Sequence, residues 1–558
     1  MGRFRSVVVL AAGACALGLA CTGTIDGSDQ PGGGPDPTPM GGNNGPVDPN
    51  AAGPLPMQRL TNREYNNTVR DLLGDTTGPA TQFASDRNTT FEFRRAGDVA
   101  VQDATLLQSA AETLAAATVP RLSPGMLLPC DPASGGEDAC AGKFITTFGQ
   151  RAFRRPLTAA ETTRLTSLYM NGRTTLKLGF ADTMGLLVEA MLQAPQFLYH
   201  WEAAPTDAPI HDGAVIRLSA YQMASRLSYF LWGSMPDDAL FAAAAAGQLD
   251  TTAGVQTQAR RMLADAKAKD TVARFFSDWL GLDALGDRTK DPMLYPNYTA
   301  ATQAAMLDET VAFVQNVAFG GDGRLATLLG AQYSYFGSAL GSVYGAMVSG
   351  TAAQKVDLDP TQRAGFLTHA SFLALTGSPG GSNPVLRGKA VYTKLLCHAL
   401  PPPPAAVPDP KPASAGGTTR QRFTEHDQNT CAKGCHDVMD PIGFAFEHYD
   451  GIGRYRTMDN GLPVDSSGVV NLDGAMQPFA DAVGLAGLLA KSAEVRACFA
   501  GEWTRFALGR VDTSADAGSL QQAARDFGGD SATMQDLLAS VATTRSFRYR
   551  SLSQGEAP

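Results

Sequence analysis

Apolar residues recur at three- and four-residue spacing along most of the chain beyond residue 55, which is the period of an amphipathic helix. The first helix is predicted to follow Thr61, because Glu64 three residues later completes a capping box and Gly74 provides a stop. A later helix is predicted to follow Thr158, which serves as its cap and has Glu161 in its first turn. Local capping signals therefore support the periodic pattern.

The same periodicity predicts a long series of helices. Their predicted ranges are 103–117, 144–153, 159–170, 179–194, 219–232, 237–247, 251–269, 271–280, 308–319, 362–375, 384–396, 480–489, 492–508 and 520–527. Only residues 333–336 and 464–472 are candidate strands, which are too few for a large sheet. The predicted fold class is mainly α, a multi-module helical protein with few short strands and long loops.

The first residues have the pattern of an export signal. Arg3 and Arg5 precede the uncharged apolar run 6–20, which is too short to cross a bilayer as a helix. The run ends at Cys21, and residues 22–54 are rich in Gly, Pro, Asp and Asn, as in a flexible tether. We therefore expect a lipoprotein signal peptide over 1–21, a lipid on Cys21 and a disordered tether; cleavage near the same place without acylation is the alternative.

Length and charge limit the function classes. Roughly 500 residues follow the tether, more than one core holds, so three or more packed units are expected. The net charge of -9, without long basic runs, argues against a nucleic-acid partner.

Six cysteines remain when Cys15 and Cys21 are set aside, and an even number in an exported chain suits disulfides or covalent cofactor attachment. Cys130 and Cys140 bracket a loop rich in Pro, Gly and Asp. A disulfide between them would staple this loop, so we predict that bond.

One segment combines two thiols with an imidazole: Cys431, Cys435 and His436. In c-type haem sites two thioethers fix the porphyrin, and the His after the second Cys ligates the iron. Three residues separate the thiols here, where two are usual, but a four-residue step still places both on one face of a helical turn. A structural zinc site that also uses His426 is a second interpretation.

The third interpretation is a disulfide. Cys431 and Cys435 would bond to each other, or either of them would bond to Cys397 or Cys498, beside an ordinary histidine. The residues alone leave all three interpretations open.

Other residues near the motif have predicted roles. Asp440 is predicted to cap a helix in which Pro441 takes the first position, and the apolar stripe Ile442, Phe446 and Tyr449 continues it. For a sixth iron ligand, Met439 lies too near His436 along the chain. The better candidates Met458, Met476 and His448 do not allow an assignment.

Residues 431–456, CAKGCHDVMDPIGFAFEHYDGIGRYR, resemble the haem-c-like module of a large family of secreted bacterial proteins. These proteins are built from successive domains of unknown function and are linked to c-type cytochromes. Further segments resemble the rest of the family in the same order. Residues 59–74, 144–161 and 186–240 resemble the first three modules, 363–404 the beginning of the fourth, which 431–456 completes, and 498–510 the last.

The resemblance implies five modules, which we assign to residues 55–120, 141–203, 204–335, 360–460 and 478–550. It also implies a disulfide between Cys397 and Cys498, which match family cysteines, joining the fourth and fifth modules. Arg387 and Arg454 are candidates for pairing with a haem propionate, and an ordinary surface position is the favoured alternative.

The expected function is that of a membrane-anchored, haem c-type electron-transfer component of the cell envelope, with an envelope redox partner. Its expected location is an outer membrane or cell surface, facing the periplasm or the exterior. The alternative is a non-catalytic scaffold or a polymer- or protein-binding lipoprotein with the motif cysteines in a disulfide.

Overall fold

The computed structural model describes residues 47–86, 93–96, 101–200, 202, 210–401, 411–412, 414, 416–427 and 433–552. Residues 39–558 form one compact unit, and the fold described below belongs to it. The predicted signal peptide, the lipidation site Cys21 and most of the tether lie outside the described residues.

The first part of the chain is a group of helices whose starts follow the predicted caps. The Thr61 side chain accepts from the Glu64 N–H while Glu64 accepts from the Thr61 N–H, and Thr158 and Glu161 form the same box. The elements are β1 Gln58–Arg59, α1 Asn62–Leu73, α2 Val101–Thr118, α3 Pro132–Gly135, α4 Glu137–Phe153, α5 Ala159–Thr174, α6 Phe180–Leu192, α7 Pro195–Leu198 and β2 Tyr199–His200.

The middle part is also mainly helical. The break predicted between helices 251–269 and 271–280 lies earlier, between Leu263 and Lys267, where Asp265 Oδ1 accepts from the Lys267 N–H at 2.9 Å. The elements are β3 Ile210–Asp212, β4 Val215–Arg217, α8 Ala220–Trp232, α9 Asp238–Ala245, α10 Thr252–Leu263, α11 Lys267–Leu280, α12 Ala300–Phe319, α13 Leu325–Gly330, β5 Tyr333–Phe336, α14 Gly341–Tyr344 and β6 Gln354–Asp357.

The last part contains the cysteine motif, a β-hairpin and a closing group of helices. Three of its helices, α17, α22 and α23 below, were not predicted from the sequence. The elements are α15 Ala370–Leu375, α16 Pro384–Lys394, α17 Thr419–Asp427, α18 Lys433–Phe444, β7 Met458–Asp459, β8 Leu462–Pro463, β9 Gly468–Leu472, β10 Ala475–Phe479, α19 Ala482–Leu489, α20 Ala493–Leu508, α21 Ala517–Asp526, α22 Met534–Thr543, α23 Arg545–Arg548 and β11 Tyr549–Ser551.

The strands form small antiparallel sheets. The pairs are β1–β2, β5–β6, β7–β8 and β9–β10, and β11, β4 and β3 form a three-stranded sheet. In that sheet Tyr549 pairs with Arg217, so the end of the chain returns to the start of its middle part. The fold is therefore mainly α with few short strands, as predicted.

Two hydrophobic clusters hold the helices together. One is built from residues between Leu60 and Phe241, and the other takes Phe93 and residues between Leu218 and Phe547. At the centre of the second cluster, Phe275 of α11 stacks on Trp503 of α20 with ring centroids 3.7 Å apart. Segments far apart in sequence thus share one core, which modules folding separately would not do.

The longest of the described helices is α12, with 20 residues. Neither α12 nor any other helix in the described part of the chain is both long and apolar enough to cross a membrane.

Candidate functional site

The motif helix α18 lies against α16 at a crossing that depends on two glycines. A Cβ added at Gly388 would lie 1.9 Å from the Met439 carbonyl oxygen, and one at Gly443 would lie 1.9 Å from the Pro384 carbonyl oxygen. Both contacts are with backbone, which cannot move aside as the end of a side chain can. Only glycine allows this approach, so the crossing fixes the position of α18.

The prediction that Asp440 caps a helix starting at Pro441 is wrong, because Pro441 lies inside α18. A proline within a helix lacks the N–H and opposes the preceding turn, at a cost of about 3 kcal/mol. The packing of α18 on α16 outweighs this local preference. The apolar stripe Ile442, Phe446 and Tyr449 is buried, although α18 ends before its last two members.

The first half of α18 carries the motif residues. Cys435 is half-buried with a free thiol, and His436 is buried. His436 Nδ1 lies 2.9 Å from Asp440 Oδ2, one helical turn further along. Cys431 and the side chain of His426 lie outside the described residues. His436 thus contacts an acid for which the sequence predicted a different role, that of a helix cap.

The hydrogen bond to Asp440 has a chemical consequence for the imidazole of His436. A carboxylate accepts only, so the bonded Nδ1 carries the hydrogen, and in a neutral imidazole Nε2 then carries the lone pair. Metal-ligating histidines commonly have this arrangement, with the second nitrogen bonded to a carboxylate or carbonyl.

The described part of the chain contains two disulfides, Cys130–Cys140 and Cys397–Cys498, and both were predicted. The alternative pairings of Cys435 are wrong, because its thiol is free and Cys397 and Cys498 are bonded to each other. The second disulfide joins the segment after α16 to α20, across 101 positions of sequence.

Glu502 lies beside that disulfide, with Oε1 3.5 Å from Cys397 Sγ. Among the described residues, Cys397, Cys498 and Glu502 are a group of three metal-ligand types within 4.8 Å of one another. Disulfide sulfurs carry no thiolate, and a thiolate is the form that binds zinc, so this group does not make a metal site.

Tyr392 of α16 is close enough to Cys435 for the two to interact electrostatically. Burial raises the pKa of Tyr392, and the negative charge of Glu494 raises it further. His398 Nε2 lies 2.6 Å from Glu494 Oε1, and the His398 ring meets that of Tyr392 edge-on at 4.7 Å. This second carboxylate–histidine pair is about one-third exposed, unlike His436–Asp440.

Neither predicted role of Arg387 is correct, since its side chain is fully buried. It donates to the carbonyl oxygens of Phe446, Tyr449, Asp450 and Leu373 at distances from 2.6 to 3.3 Å. Burial lowers its pKa to about 10. The guanidinium thus holds together the turn that follows α18 and does not face a ligand.

The remaining predicted residues have other partners or are exposed. Arg454 bonds to Asp450 at 2.7 Å, and His448 Nδ1 bonds to the Arg456 carbonyl at 2.8 Å. Met458 and Met476 are 49% and 65% exposed on short strands. None of these contacts assigns a sixth iron ligand.

A second buried histidine cluster was not predicted from the sequence. Ser334 Oγ and the Tyr344 hydroxyl both donate to Glu309 Oε1, the former at 2.8 Å. His369 Nε2 lies 3.3 Å from Ser334 Oγ, and Nδ1 lies 3.1 Å from Thr310 Oγ1. Because Ser334 gives its hydrogen to the carboxylate, Nε2 donates to Ser334 and Nδ1 accepts from Thr310.

Burial moves the two ionisable groups of this cluster toward their neutral forms. It raises the pKa of Glu309 to about 7, and hydrogen bonds from Tyr344 and Ser334 reduce that rise. Burial lowers the pKa of His369 to about 3, and the positive charge of Arg363 contributes. Both effects are those expected for groups removed from water.

The sequence offered little sign of this cluster, because its members lie on α12, β5, α14 and the start of α15. One signal was available. Alternation in the predicted strand 333–336 places Ser334 on the same face as Phe336, and both are buried.

Five family models match the chain in succession, each described as a protein of unknown function. They are DUF1587 over residues 58–120, DUF1595 over 140–202, DUF1592 over 218–346, DUF1588 over 363–459 and DUF1585 over 476–547. The motif helix lies within the DUF1588 region. No curated protein and no solved structure matches the chain. The chain belongs to the multi-module family that is built from these five domains of unknown function.

Proposed function

We propose that this protein is an exported, membrane-anchored electron-transfer component of the cell envelope that carries one haem c. In this proposal Cys431 and Cys435 attach the haem and His436 ligates its iron. The observation that carries the proposal is the free Cys435 thiol, which is followed directly by a histidine with one ring nitrogen bonded to a carboxylate.

The chemistry of the described donors suits a haem c. Thioether formation needs a thiol that is not already in a disulfide, and the structural disulfide uses Cys397 and Cys498 instead. Iron ligation needs a neutral imidazole with a lone pair on one nitrogen, and the Asp440 contact assigns that lone pair to Nε2.

When bound, a haem supplies reversible one-electron chemistry at its iron. The protein's own residues then have defined tasks. Cys435 holds the group at the start of α18, His436 presents Nε2 to it, and the α16–α18 crossing at Gly388 and Gly443 keeps that helix from shifting. The buried side chains of the surrounding helices exclude water, which favours the less charged state of the iron site.

The anchor in this proposal is a lipid on Cys21, followed by the tether to residue 54. It would place the helical unit outside the cytoplasm, where covalent haem attachment and disulfide formation take place. A variant with Cys21→Ser, compared with wild type by fractionation and by the mass of the first mature peptide, tests the anchor. Equal membrane retention of both proteins would contradict it.

The haem is tested by expressing the full chain with a cytochrome c maturation system. We expect a pyridine haemochrome spectrum and an intact mass increased by one haem. Cys431→Ser/Cys435→Ser should lose covalent attachment, because it removes both attaching thiols, while His436→Ala should keep haem mass but change the spectrum of the iron. The double variant Cys130→Ser/Cys140→Ser is the matched control, since it removes two cysteines distant in sequence from the motif and should keep the haem.

A mass equal to that of the processed polypeptide, without a haemochrome, would contradict the redox proposal. The scaffold function would then be favoured, in a form without a disulfide at Cys435.

A further inference from the structure

The contact between His436 and Asp440 is more than an expected feature of a buried helix. The two residues are four positions apart on α18, so their side chains lie on the same face. Their side chains are only 8% and 4% exposed, and the atoms joined, Nδ1 and Oδ2, are 2.9 Å apart. A charge-assisted bond this well buried is strong and geometrically defined.

Asp440 has little freedom to move away from the imidazole. The residue before it, Met439, has its carbonyl oxygen against Gly388 of α16. The residue after it, Pro441, has a ring that fixes its own backbone angle. An aspartate has only two side-chain torsions, so a fixed backbone largely fixes the carboxylate. The position of the acid is therefore set by the α16–α18 crossing, and the acid in turn sets the ring of His436.

A carboxylate at Nδ1 changes the imidazole as an iron ligand. It fixes which nitrogen bears the hydrogen, holds the ring plane and increases the electron density at Nε2. A more electron-rich ligand stabilises ferric over ferrous iron, and hydrogen bonding around the ligands is one of the means by which proteins set a haem potential.

We infer that Asp440 is a positioning residue that orients His436 through Nδ1 and lowers the reduction potential of the site. This inference rests on the proposed haem function. It goes beyond that function because it assigns a role to a residue outside the cysteine–histidine motif.

The test compares the haem-loaded full-length wild type with Asp440→Asn and Asp437→Asn. Asparagine at 440 keeps the size of the side chain but removes the charge. Asp437→Asn removes the same charge from an exposed position on the same helix. Reduction potentials are measured by spectroelectrochemistry, and the axial histidine is followed by NMR of its ring N–H.

We expect Asp440→Asn to favour the reduced state by at least tenfold, which is about 59 mV for a one-electron couple. Asp437→Asn should change the ratio of reduced to oxidised protein by less than threefold. In the wild type, the axial imidazole N–H should be protected from exchange with solvent, a result that needs no variant and holds even if Asp440→Asn does not fold.

Equal shifts in the two variants, or an axial N–H that exchanges as fast as a free imidazole, would overturn the role of Asp440 while leaving the haem in place. A wild type without haem would overturn the proposed function and this inference together. The two failures are therefore distinguishable.

Discussion

His369 and His436 are both buried and both belong to clusters that include an acidic residue, yet their surroundings differ in kind. Each ring nitrogen of His369 meets a hydroxyl, from Thr310 or Ser334, and its acid Glu309 is reached only through Ser334. His436 meets its acid directly, next to a free thiol. Both ring nitrogens of His369 thus contact hydroxyl groups, whereas Nδ1 of His436 contacts a carboxylate directly.

The means that stabilise the two regions differ as well. The cluster of His369 is held by hydrogen bonds among buried groups on α12, β5, α14 and α15. The region of His436 has a covalent bond beside it, because Cys397 follows α16 and Cys498 lies on α20. A disulfide thus restrains segments near the motif helix, whereas the cluster of His369 depends on hydrogen bonds.

The largest expected effect comes from breaking this covalent restraint. Cys397→Ala/Cys498→Ala opens a loop of 101 positions, and the loss of stability should be about 4 to 5 kcal/mol. Cys130→Ala/Cys140→Ala opens a loop of 10 positions and should cost roughly 2.5 to 3 kcal/mol. Guanidinium unfolding followed by the fluorescence of buried Trp503 measures both.

The two double variants control for each other, because both replace two cysteines by alanine. Equal losses would show that closing the longer loop gives no extra stability. The Cys397–Cys498 disulfide would then not give the region of His436 the additional stability that we expect.

The next effect separates stability from chemistry. His369→Ala removes two hydrogen bonds and the contact with Phe313 at 4.7 Å, so the free energy of unfolding should fall by about 3 to 4 kcal/mol. Haem per folded molecule should stay at the wild-type level, as measured by haemochrome absorbance. His436→Ala should instead change the iron spectrum. A loss of haem in His369→Ala protein that remains folded would contradict the separation.

The third effect depends on pH. The folded protein keeps the Glu309 proton to about pH 7, whereas the unfolded chain releases it near the ordinary value of 4.5. Stability from Glu309 is therefore complete below pH 4.5 and falls as the pH rises to 7. His369 has the opposite effect, because its pKa of about 3 in the folded protein lies below the ordinary value of 6.5 in the unfolded chain. The stability that His369 contributes is therefore lost as the pH falls from 6.5 to 3.

Between pH 4.5 and 6.5 the loss of stability from Glu309 and the gain from His369 cancel in the wild type as the pH rises. Glu309→Gln leaves only the pH dependence that comes from His369. The free energy of unfolding of the variant should therefore rise relative to that of the wild type by roughly 3 kcal/mol between pH 4.5 and 7. Guanidinium unfolding at four pH values across this range measures the difference. Parallel curves for the two proteins would contradict the raised pKa of Glu309.

Glu64→Gln is the matched control, since Glu64 is also buried but has charged partners. Burial alone would raise the pKa of Glu64, but His200, the Thr61 N–H and Arg95 outweigh it and lower the pKa to about 2. This carboxylate stabilises the protein above pH 4.5, and that stability is lost as the pH falls to 2. Glu64→Gln should therefore be destabilised at pH 7 and approach the wild type in acid, the reverse of Glu309→Gln.

Much of the fold followed from local sequence signals. The capping boxes at Thr61 and Thr158 fixed two helix starts, and strand 333–336 was predicted at its observed bounds. Local signals failed at Pro441, where the rule for the first helical position gave way to the packing of α18 on α16. The close approach of two helices at a pair of glycines is a feature of the tertiary structure, and it cannot be predicted from either glycine in the sequence.

The candidate site was predictable only in part, for a similar reason. Cys435 and His436 stood out because they are adjacent, but the role of Asp440 depended on where the helix begins. Arg387 was misjudged because nothing in the sequence shows that four carbonyl groups converge on it. Residues that act through distant partners have no local signature.

The smallest expected effect concerns His398 and Glu494, which form a carboxylate–histidine pair like that of His436 but are about one-third exposed. Water solvates both groups, so their 2.6 Å contact should contribute only about 0.2 to 1 kcal/mol. Glu494→Gln should lower stability by that amount, and added salt should reduce the difference. Asp440→Asn should cost more and respond less to salt, because its pair is buried. Similar costs and similar salt dependence in the two variants would mean that burial does not distinguish the pairs, and that the bond length alone sets their strength.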